Sequence, residues 1–236
     1  MEKMRPNGQR AKIAMMLIWT VLTIEIISIL SDYLQYDLLQ TVANGGQIST
    51  ETATGNDLRQ KIIAIIYLVT YIISGITFIR WFRRAYFNLH LKAETLSFTE
   101  GWAAGSWFVP FISLYRPKQI MNELYVETQN LLTTKQENSM VNLNTQFIRW
   151  WWALWLIASF LGQFVFRYSQ KAETLEELTT VTIVSIIASI IGIPLALITV
   201  KIIKDYAEIE PLFCNLDVEI EQEQIILDTD FQSIEN

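Results

Sequence analysis

Four long apolar stretches constrain this chain more than any other feature of its sequence. They cover residues 13–30, 62–79, 150–166 and 180–200, and a bilayer core about 30 Å thick needs roughly 20 mainly apolar residues in a helix. The chain is 51% hydrophobic and only 18% charged, whereas soluble domains carry about 25% charged residues. A soluble fold of this size could not cover four helices that are apolar on every side. We therefore predict an all-α integral membrane bundle of four transmembrane helices.

The Lys and Arg residues predict which side of the membrane each segment faces, because basic residues in short loops favour the cytoplasm. We interpret the first stretch as an uncleaved span, since no cleavage site follows it. Of the 18 Lys and Arg residues, a four-span threading leaves outside only Arg59, Lys61, Arg167 and Lys171. Both termini are therefore predicted to be cytoplasmic. A fifth full span at 101–117 would nearly abolish this asymmetry.

The stretch GWAAGSWFVPFISLY, which begins at Gly101, is too apolar for an ordinary surface loop. Fifteen helical residues reach only about 22 Å, and Pro110 removes a backbone hydrogen bond within that reach. Broken helix at membrane depth needs cover from protein or water. We therefore predict a proline-broken re-entrant or interfacial helix at 101–117, followed by an amphipathic cytoplasmic helix at 118–132.

Two further segments complete the predicted organisation. Residues 33–56 are predicted to form an external segment: helix-compatible sequence continues to about Val42, and the stretch VANGGQISTETATGND that begins there has the small polar composition of a loop. The membrane domain then covers 1–204, and the acid-rich residues 205–236 form a cytoplasmic tail that recruits a partner or remains solvated.

Three clusters carry more specific information: RWFRRAYFNL from Arg80, GWAAGSWFVPFISLYRP from Gly101, and RWWWALW from Arg149. In this order and spacing they resemble a bacterial family known as domain of unknown function 4328. The shared features are Arg-Ala-Tyr-x-Asn at 84–88, Gly-Trp with Trp-Phe-x-Pro within 101–110, Arg-Pro at 116–117 and Trp-Trp at 151–152. The resemblance covers about 62–204. It implies a bacterial cytoplasmic-membrane protein with about four spans, and it brings no established activity.

Glu25 is the sharpest candidate for a functional residue, because an ionisable group near mid-membrane is costly and marks a functional site by default. Tyr67, Gln163 and Ser189 lie at about the same depth, counted from the cytoplasmic ends of the helices. We predict that the four form an intramembrane polar layer that binds a proton or cation, or orients a polar group. The alternative is a protonated Glu25 that fixes helix packing through a hydrogen bond. Asp32 is expected to be solvated.

A second candidate site gathers basic, aromatic and motif residues at the predicted cytoplasmic face. Guanidinium groups match phosphate oxygens, and tryptophan favours the headgroup boundary. The cluster is therefore predicted to bind an anionic lipid headgroup or ligand, or to dock a partner; the alternative is topogenic charge with simple anchoring. Its members are Arg80, Arg83, Arg84, Asn88, Trp102, Trp107, Pro110, Arg116, Trp151 and Trp152. Arg84 and Arg116, which lie within motifs, are expected to hold fixed positions.

Enzyme motifs are missing: the sequence has no glycine-rich phosphate loop and no zinc-protease or serine-hydrolase signature. With one cysteine and one histidine, we predict no metal site and no cofactor, and nucleic-acid binding is not expected. The predicted function is non-enzymatic interaction or scaffolding within the membrane, with a small oligomeric transporter or channel that uses Glu25 as the alternative. Predicted partners are the lipid bilayer, an anionic lipid, and a protein partner or a second copy of the chain.

Overall fold

The computed structural model describes residues 4–93, 95–135 and 143–212. Across these ranges the chain is mainly helical and forms no strand. The helices are α1 (Gly8–Ala43), α2 (Thr50–His90), α3 (Glu100–Gly105), α4 (Arg116–Lys135), α5 (Gln146–Ser169) and α6 (Leu175–Ile209), with a 3-10 turn at Ile112–Leu114. The predicted all-α class is confirmed.

Three of the described helices, α1, α2 and α6, are long and apolar enough to cross a membrane. They contain the predicted stretches at 13–30, 62–79 and 180–200. The fourth predicted stretch, 150–166, lies in α5, whose 24 residues reach about 36 Å. Since α5 is not among the three, the count of four spans stays a prediction.

The surface of α2 shows which solvent these helices suit. Large apolar side chains along it are about half exposed, among them Ile65, Leu68 and Ile72. Soluble proteins rarely expose apolar patches of this extent, whereas lipid tails are ordinary neighbours for them. This surface and the three helices that could cross a membrane together point to a membrane protein.

The chain divides into two compact units. Residues 12–78 and 146–202 form one, here named the span unit because it holds the apolar parts of the long helices. Residues 1–11, 79–145 and 203–236 form the other, here named the α4 unit.

The α4 unit has an aromatic and aliphatic core. On α4, one face is fully buried because its residues recur every three or four positions: Ile120, Met121, Leu124, Tyr125, Thr128 and Leu132. The Tyr206 ring of α6 stacks on Tyr125 and meets the edge of Trp81 of α2, with ring centroids 6.2 Å apart in both pairs. The predicted helix at 118–132 lies within α4.

Two predicted segments are more helical than their composition suggests. Within the predicted external segment at 33–56, α1 continues to Ala43, close to the expected limit near Val42, while α2 begins at Thr50 inside the stretch with loop composition, so the connecting loop is 44–49. Gly45 supports the tight turn with φ of 81°, a conformation that glycine adopts without strain. At the other end, α6 continues to Ile209, so the first residues of the predicted tail are helical. The rest of that tail, from 213 onward, lies outside the described residues.

The segment at 101–117 is broken more thoroughly than Pro110 alone predicts. Helix α3 ends at Gly105, and its six residues reach only about 9 Å. The turn that follows carries an apolar tip (residues 108–111), in which Phe108 and Phe111 are 75% and 81% exposed. Phe111 adopts φ of 63°, which is uncommon for a bulky residue. The segment is thus too short in helix to cross a bilayer, and its re-entrant or interfacial placement stays a prediction.

The core of the α4 unit predicts the effect of truncating Leu124. Leu124→Ala removes a fully buried side chain, so we expect the free energy of unfolding to fall by about 2–5 kcal/mol. The matched control is Val126→Ala on the same helix, where the side chain is 36% exposed and the expected change is within about 0.5 kcal/mol. Denaturant unfolding in detergent, followed by tryptophan fluorescence, measures both. Equal changes for the two variants would contradict the assignment of this core.

Candidate functional site

The Glu25 carboxyl group lies where α1, α2 and α6 of the span unit meet. Its residue is 6% exposed. The Tyr67 hydroxyl of α2 donates a hydrogen bond of 2.9 Å to Glu25 Oε1, and the Ser189 side chain of α6 lies beside the same carboxyl group. Three of the four residues predicted to form a polar layer therefore come together.

Gly192 makes room for this carboxyl group. A Cβ atom at position 192 would lie 2.6 Å from Glu25 Oε1 and 2.8 Å from its carboxyl carbon, closer than van der Waals contact allows. Glycine lowers the stability of a helix interior. The space that the Glu25 carboxyl group occupies accounts for its presence in α6. The absent side chain lets α6 approach α1 at the depth of the acid.

Gln163, the fourth predicted member, does not join this layer. It is exposed on α5. The buried residues of α5 are Ile148, Trp151 and Trp152, all near its start, whereas the residues of its later turns are half-buried or exposed. Counting residues from the cytoplasmic end of each helix therefore did not predict which α5 residue lies near Glu25. The structure does not place Gln163 in the polar layer.

Asp32 is buried rather than solvated, which corrects the expectation from sequence. It follows Glu25 by two helical turns on α1 and is 7% exposed. Ser185 of α6 and Gln60 of α2 lie beside its carboxyl group. Burial follows from the length of the helices: because α1 and α2 extend well past the predicted boundary at residue 33, Asp32 lies inside the helix bundle.

Hydrogen-bonded polar side chains continue from Asp32 toward the 44–49 loop. Arg59 donates from Nε to Ser31 Oγ at 3.0 Å and from Nη2 to Asn56 Oδ1 at 2.6 Å. Gln35 donates to the Thr182 hydroxyl at 2.8 Å, which ties α1 to α6. Asn56 in turn donates to Gln35 Oε1 at 3.2 Å.

These groups lie along one line, here named the polar seam, on three helices that are otherwise apolar. Its members are Glu25, Ser31, Asp32 and Gln35 on α1, Asn56, Arg59, Gln60 and Tyr67 on α2, and Thr182, Ser185 and Ser189 on α6. Spacings of three, four and seven residues repeat on each helix, and such spacings keep side chains on one face. The seam therefore joins the loop end of the span unit to Glu25.

The sequence carried a signal for the missed members. Asp32 lies seven residues after Glu25, and Gln60 lies seven residues before Tyr67. Ser185 precedes Ser189 by four residues. A search four or seven residues away from each predicted layer residue, on the same face of its helix, would have found Asp32, Gln60 and Ser185.

The chemistry of the seam is that of proton or small-cation binding. Two carboxyl groups and several hydroxyl and amide groups face one another in a region of low dielectric. Carboxylates there are costly unless they bind a proton, a cation or several hydrogen-bond donors. The seam thus places ionisable groups in the apolar part of the chain, where the free-energy cost of a charged group is highest.

The arginines of the predicted cytoplasmic cluster that lie on α2 make different direct contacts within the α4 unit. Arg80 is exposed, and its backbone carbonyl accepts a hydrogen bond from Arg10 at 3.3 Å. Arg83 pairs with Glu100 at 3.0 Å, both partly exposed. The Arg84 guanidinium lies 5.8 Å from the centre of the Phe87 ring. Arg83, Arg10 and Glu100 also act electrostatically on Arg84, so these charged side chains are neighbours although their direct contacts differ.

Arg116 lies among aromatic rings. Its guanidinium carbon is 4.4 Å from the centre of the Phe98 ring, 5.5 Å from that of Tyr115 and 5.9 Å from that of Trp102. Cation–π attraction fixes a guanidinium in such a position. The motif arginine is therefore held by its own segment.

The remaining aromatic members of the cluster differ in location. The Trp107 indole N–H donates to the Ala103 carbonyl at 3.1 Å, while Pro110 is exposed. Trp151 and Trp152 are buried in the span unit, where Trp151 contacts Phe78 with ring centroids 5.9 Å apart. The predicted cluster is thus divided between the two units.

Asn88 has a role that the sequence did not predict. Its Nδ2 donates to Glu210 Oε1 at 2.6 Å, and Asn7 Nδ2 donates to Glu210 Oε2 at 3.0 Å. Asn88 also exchanges hydrogen bonds with the backbone of Arg5, accepting one at 3.1 Å and donating one at 3.0 Å. The end of α2, the amino-terminal segment and the residue after α6 are therefore joined through one carboxyl group.

Glu210 is 5% exposed, and burial raises the pKa of its carboxyl group above the ordinary range. The amides of Asn88 and Asn7, with the positive charge of Arg84, oppose this pKa shift. The sequence assigned Glu210 to the acidic tail. Its contacts with Asn7 and Asn88, which are far away in sequence, could not be read from the composition of the tail.

Comparison with known proteins gives one match. A sequence model described as "Domain of unknown function (DUF4328)" matches residues 44–208, which confirms the resemblance seen in the motifs. No curated protein and no solved structure matches the chain.

The Glu210 site predicts a pH-dependent stability. Because burial raises the folded-state pKa, the neutral acid is favoured by folding, so the stability from this group is complete below the unfolded pKa. It is lost as pH rises through the raised pKa. We expect the unfolding midpoint of the wild type to fall, relative to that of Glu210→Gln, as pH rises from about 4 toward neutrality. Thermal unfolding in detergent across this range measures the difference.

The matched control for this prediction is Glu208→Gln, which removes an exposed acid from the same region of α6. Its unfolding midpoint should track that of the wild type at every pH. A wild type and Glu210→Gln that keep a constant difference across the range would contradict the burial of an ionisable group at this position.

Proposed function

We propose a function from the premise that the chain belongs to the DUF4328 family, a domain of unknown function: it moves protons across the bacterial cytoplasmic membrane as a small transporter or channel. The sequence favoured an interaction or scaffolding role over this alternative. The polar seam reverses that preference. The proposed role is not enzymatic and requires no cofactor.

The observation that carries this proposal is the contact of Glu25 with three helices. The acid accepts a hydrogen bond from Tyr67, lies beside Ser189, and fits only because position 192 lacks a side chain. A glutamine would supply an interhelical hydrogen bond at lower cost than an ionisable group in lipid. What a carboxyl group adds to that bond is the ability to take up and release a proton.

The proposed topology keeps four spans with both termini in the cytoplasm. α1, α2 and α6 supply three, and α5 supplies the fourth; its length is sufficient. The 101–117 segment then lies at the cytoplasmic interface rather than across the membrane. Four helices leave little room for a pore within one chain, so we propose a homo-oligomer as the transporting form.

Scaffolding remains a second candidate because of the apolar tip (residues 108–111). Phe108 and Phe111 are largely exposed, and Phe111 keeps an uncommon positive φ. Uncommon backbone conformations persist where the surroundings over-determine them, often at binding surfaces. The tip would present two rings to a protein partner or to the headgroup region of the bilayer.

The transport proposal predicts proton flux in vesicles that contain only this protein. Proteoliposomes with a trapped pH-sensitive dye are given a potassium diffusion potential. The wild type should change the internal pH faster than protein-free vesicles do. Glu25→Gln keeps a hydrogen-bond acceptor but cannot release a proton, so its rate should fall to the protein-free level.

A glycine pair provides the matched control for that experiment. Gly192→Ala should slow the flux several-fold, because the new methyl group displaces the Glu25 carboxyl group. Gly162→Ala adds the same methyl group to α5, where nothing lies within 4 Å, and should leave the flux unchanged. Wild-type vesicles no faster than protein-free ones, or a fully active Glu25→Gln, would refute the proposal.

The scaffolding candidate predicts a protein contact at the tip. A photo-crosslinking amino acid at Phe111 should form a discrete protein adduct in intact cells, and Phe108→Ser should abolish it by removing the neighbouring ring. The same crosslinker at the partly exposed Val126 serves as the control. Adducts with lipid alone would exclude a protein-docking role for the tip.

A further inference from the structure

The Asp32 carboxyl group is the least completely bonded acid of the polar seam. It is more than nine-tenths buried, yet within the described part of the chain its Oδ2 atom has no hydrogen-bond partner. A buried carboxylate oxygen without a donor is strongly unfavourable. Such an oxygen is stabilised when it carries a proton, so the geometry points to a position that binds one.

The nearest positive charge does not replace that proton. Arg59 lies close enough to act on Asp32 electrostatically, but its Nε bonds to Ser31 Oγ, and its Nη2 bonds to the Ser31 carbonyl and to Asn56. These contacts orient the guanidinium along the Ser31 and Asn56 oxygens. Its positive charge also disfavours a metal cation at Asp32, because like charges repel strongly in low dielectric.

Asp32 and Glu25 are separated by seven residues of one helix, or about 10.5 Å. Direct proton transfer does not occur over that length. Ser185 lies beside Asp32 and Ser189 lies beside Glu25, and these serines are one helical turn apart on α6. Serine hydroxyls both donate and accept hydrogen bonds, so they divide the distance between the acids into shorter steps.

We propose that Asp32 is a second proton-binding site and forms with Glu25 a two-carboxyl relay that leads from the 44–49 loop end of the seam. The inference rests on the proposed function and adds to it a second proton-binding group. In one step, the neutral Asp32 acid loses a proton and the Glu25 carboxylate gains one. Because the two serines are about 5.4 Å apart along α6, a water molecule must bridge their hydroxyls; each hydroxyl and this water accept a proton on a lone pair and give up their own. Asp32 returns to its charged form, and no electron is transferred.

The charged and titratable groups around Asp32 suit this exchange. On α1 the neighbouring acid is Glu25, whose charge disfavours a second negative charge. On α2, Arg59 acts on Asp32 and Gln60 lies beside it, and α6 contributes the Ser185 hydroxyl. Tyr67 and Ser189 contact Glu25 instead. The two carboxyl groups are thus coupled, so that a proton on one favours the charged form of the other.

The test measures flux in the same proteoliposomes for a series of variants. Asp32→Asn should slow proton flux by about tenfold or more, since it removes a positioned proton-transfer group. Asp32→Glu should restore part of the rate, because it returns a carboxyl group. The matched control, Asp37→Asn, removes an exposed acid from the same helix and should leave the rate unchanged.

The outcomes separate the two proposals. If Glu25→Gln blocks flux while Asp32→Asn retains the wild-type rate, the relay is wrong and the proposed function stands. If the wild type shows no flux above protein-free vesicles, both fall together. If Asp32→Asn is slow and Asp32→Glu does not recover any rate, Asp32 has a structural role and the relay is overturned.

A measurement on the wild type keeps the inference testable if Asp32→Asn does not fold. A hydrophobic carbodiimide reacts with protonated carboxyl groups in apolar surroundings, and peptide mass mapping locates the adduct. The relay predicts an adduct on Asp32 at acidic pH that diminishes as pH rises. Absence of the adduct at every pH would overturn the inference.

Discussion

A carboxyl group inside an apolar helix bundle must find its partners on other helices, since lipid offers none. Glu25 meets that constraint through Tyr67 of α2 and the neighbouring Ser189 of α6. A shift of one helical turn, about 5.4 Å, would separate these groups, so the contact sets the register of three helices at once. Gly192 is part of the same constraint, because a side chain at this position would displace the Glu25 carboxyl group from its present place.

Two buried acids, Glu210 and Asp32, differ in how completely their carboxyl oxygens are hydrogen-bonded. Glu210 receives amide hydrogen bonds from Asn7 and Asn88, and it joins segments that are distant in sequence. Asp32 is buried to a similar degree, yet one of its oxygens has no partner in the described residues. A carboxyl group that is hydrogen-bonded in this way stabilises the packing of the segments that it joins. A buried oxygen without a hydrogen-bond donor is unusual and calls for an explanation, such as the binding of a proton.

Much of the fold follows from patterns that sequence reasoning handles well. Apolar runs of span length predicted α1, α2 and α6, and the cost of an acid in lipid singled out Glu25 with Tyr67 and Ser189. The failures have a common cause. Depth counting placed Gln163 in the layer without knowledge of how α5 packs, and composition extended the loop to residue 57 although α2 begins at Thr50 and Asn56 donates a hydrogen bond to Gln35 of α1. Burial of Asp32 and Glu210 depends on partners that only the folded chain brings near.

The polar seam extends along only part of the length of α1, α2 and α6. The proposed proton transport therefore needs a further step beyond Glu25. Continuing its spacing by seven residues beyond Glu25, Tyr67 and Ser189 gives Ile18, Ser74 and Ala196, all buried. None of these carries a carboxyl group, and two are apolar. A proton that reaches Glu25 from the loop end therefore has no equivalent seam ahead of it within α1, α2 and α6 of one chain. Either the helices rearrange to present Glu25 to the other side, or a second copy completes the path. The homo-oligomer proposed above would meet this condition in the second way.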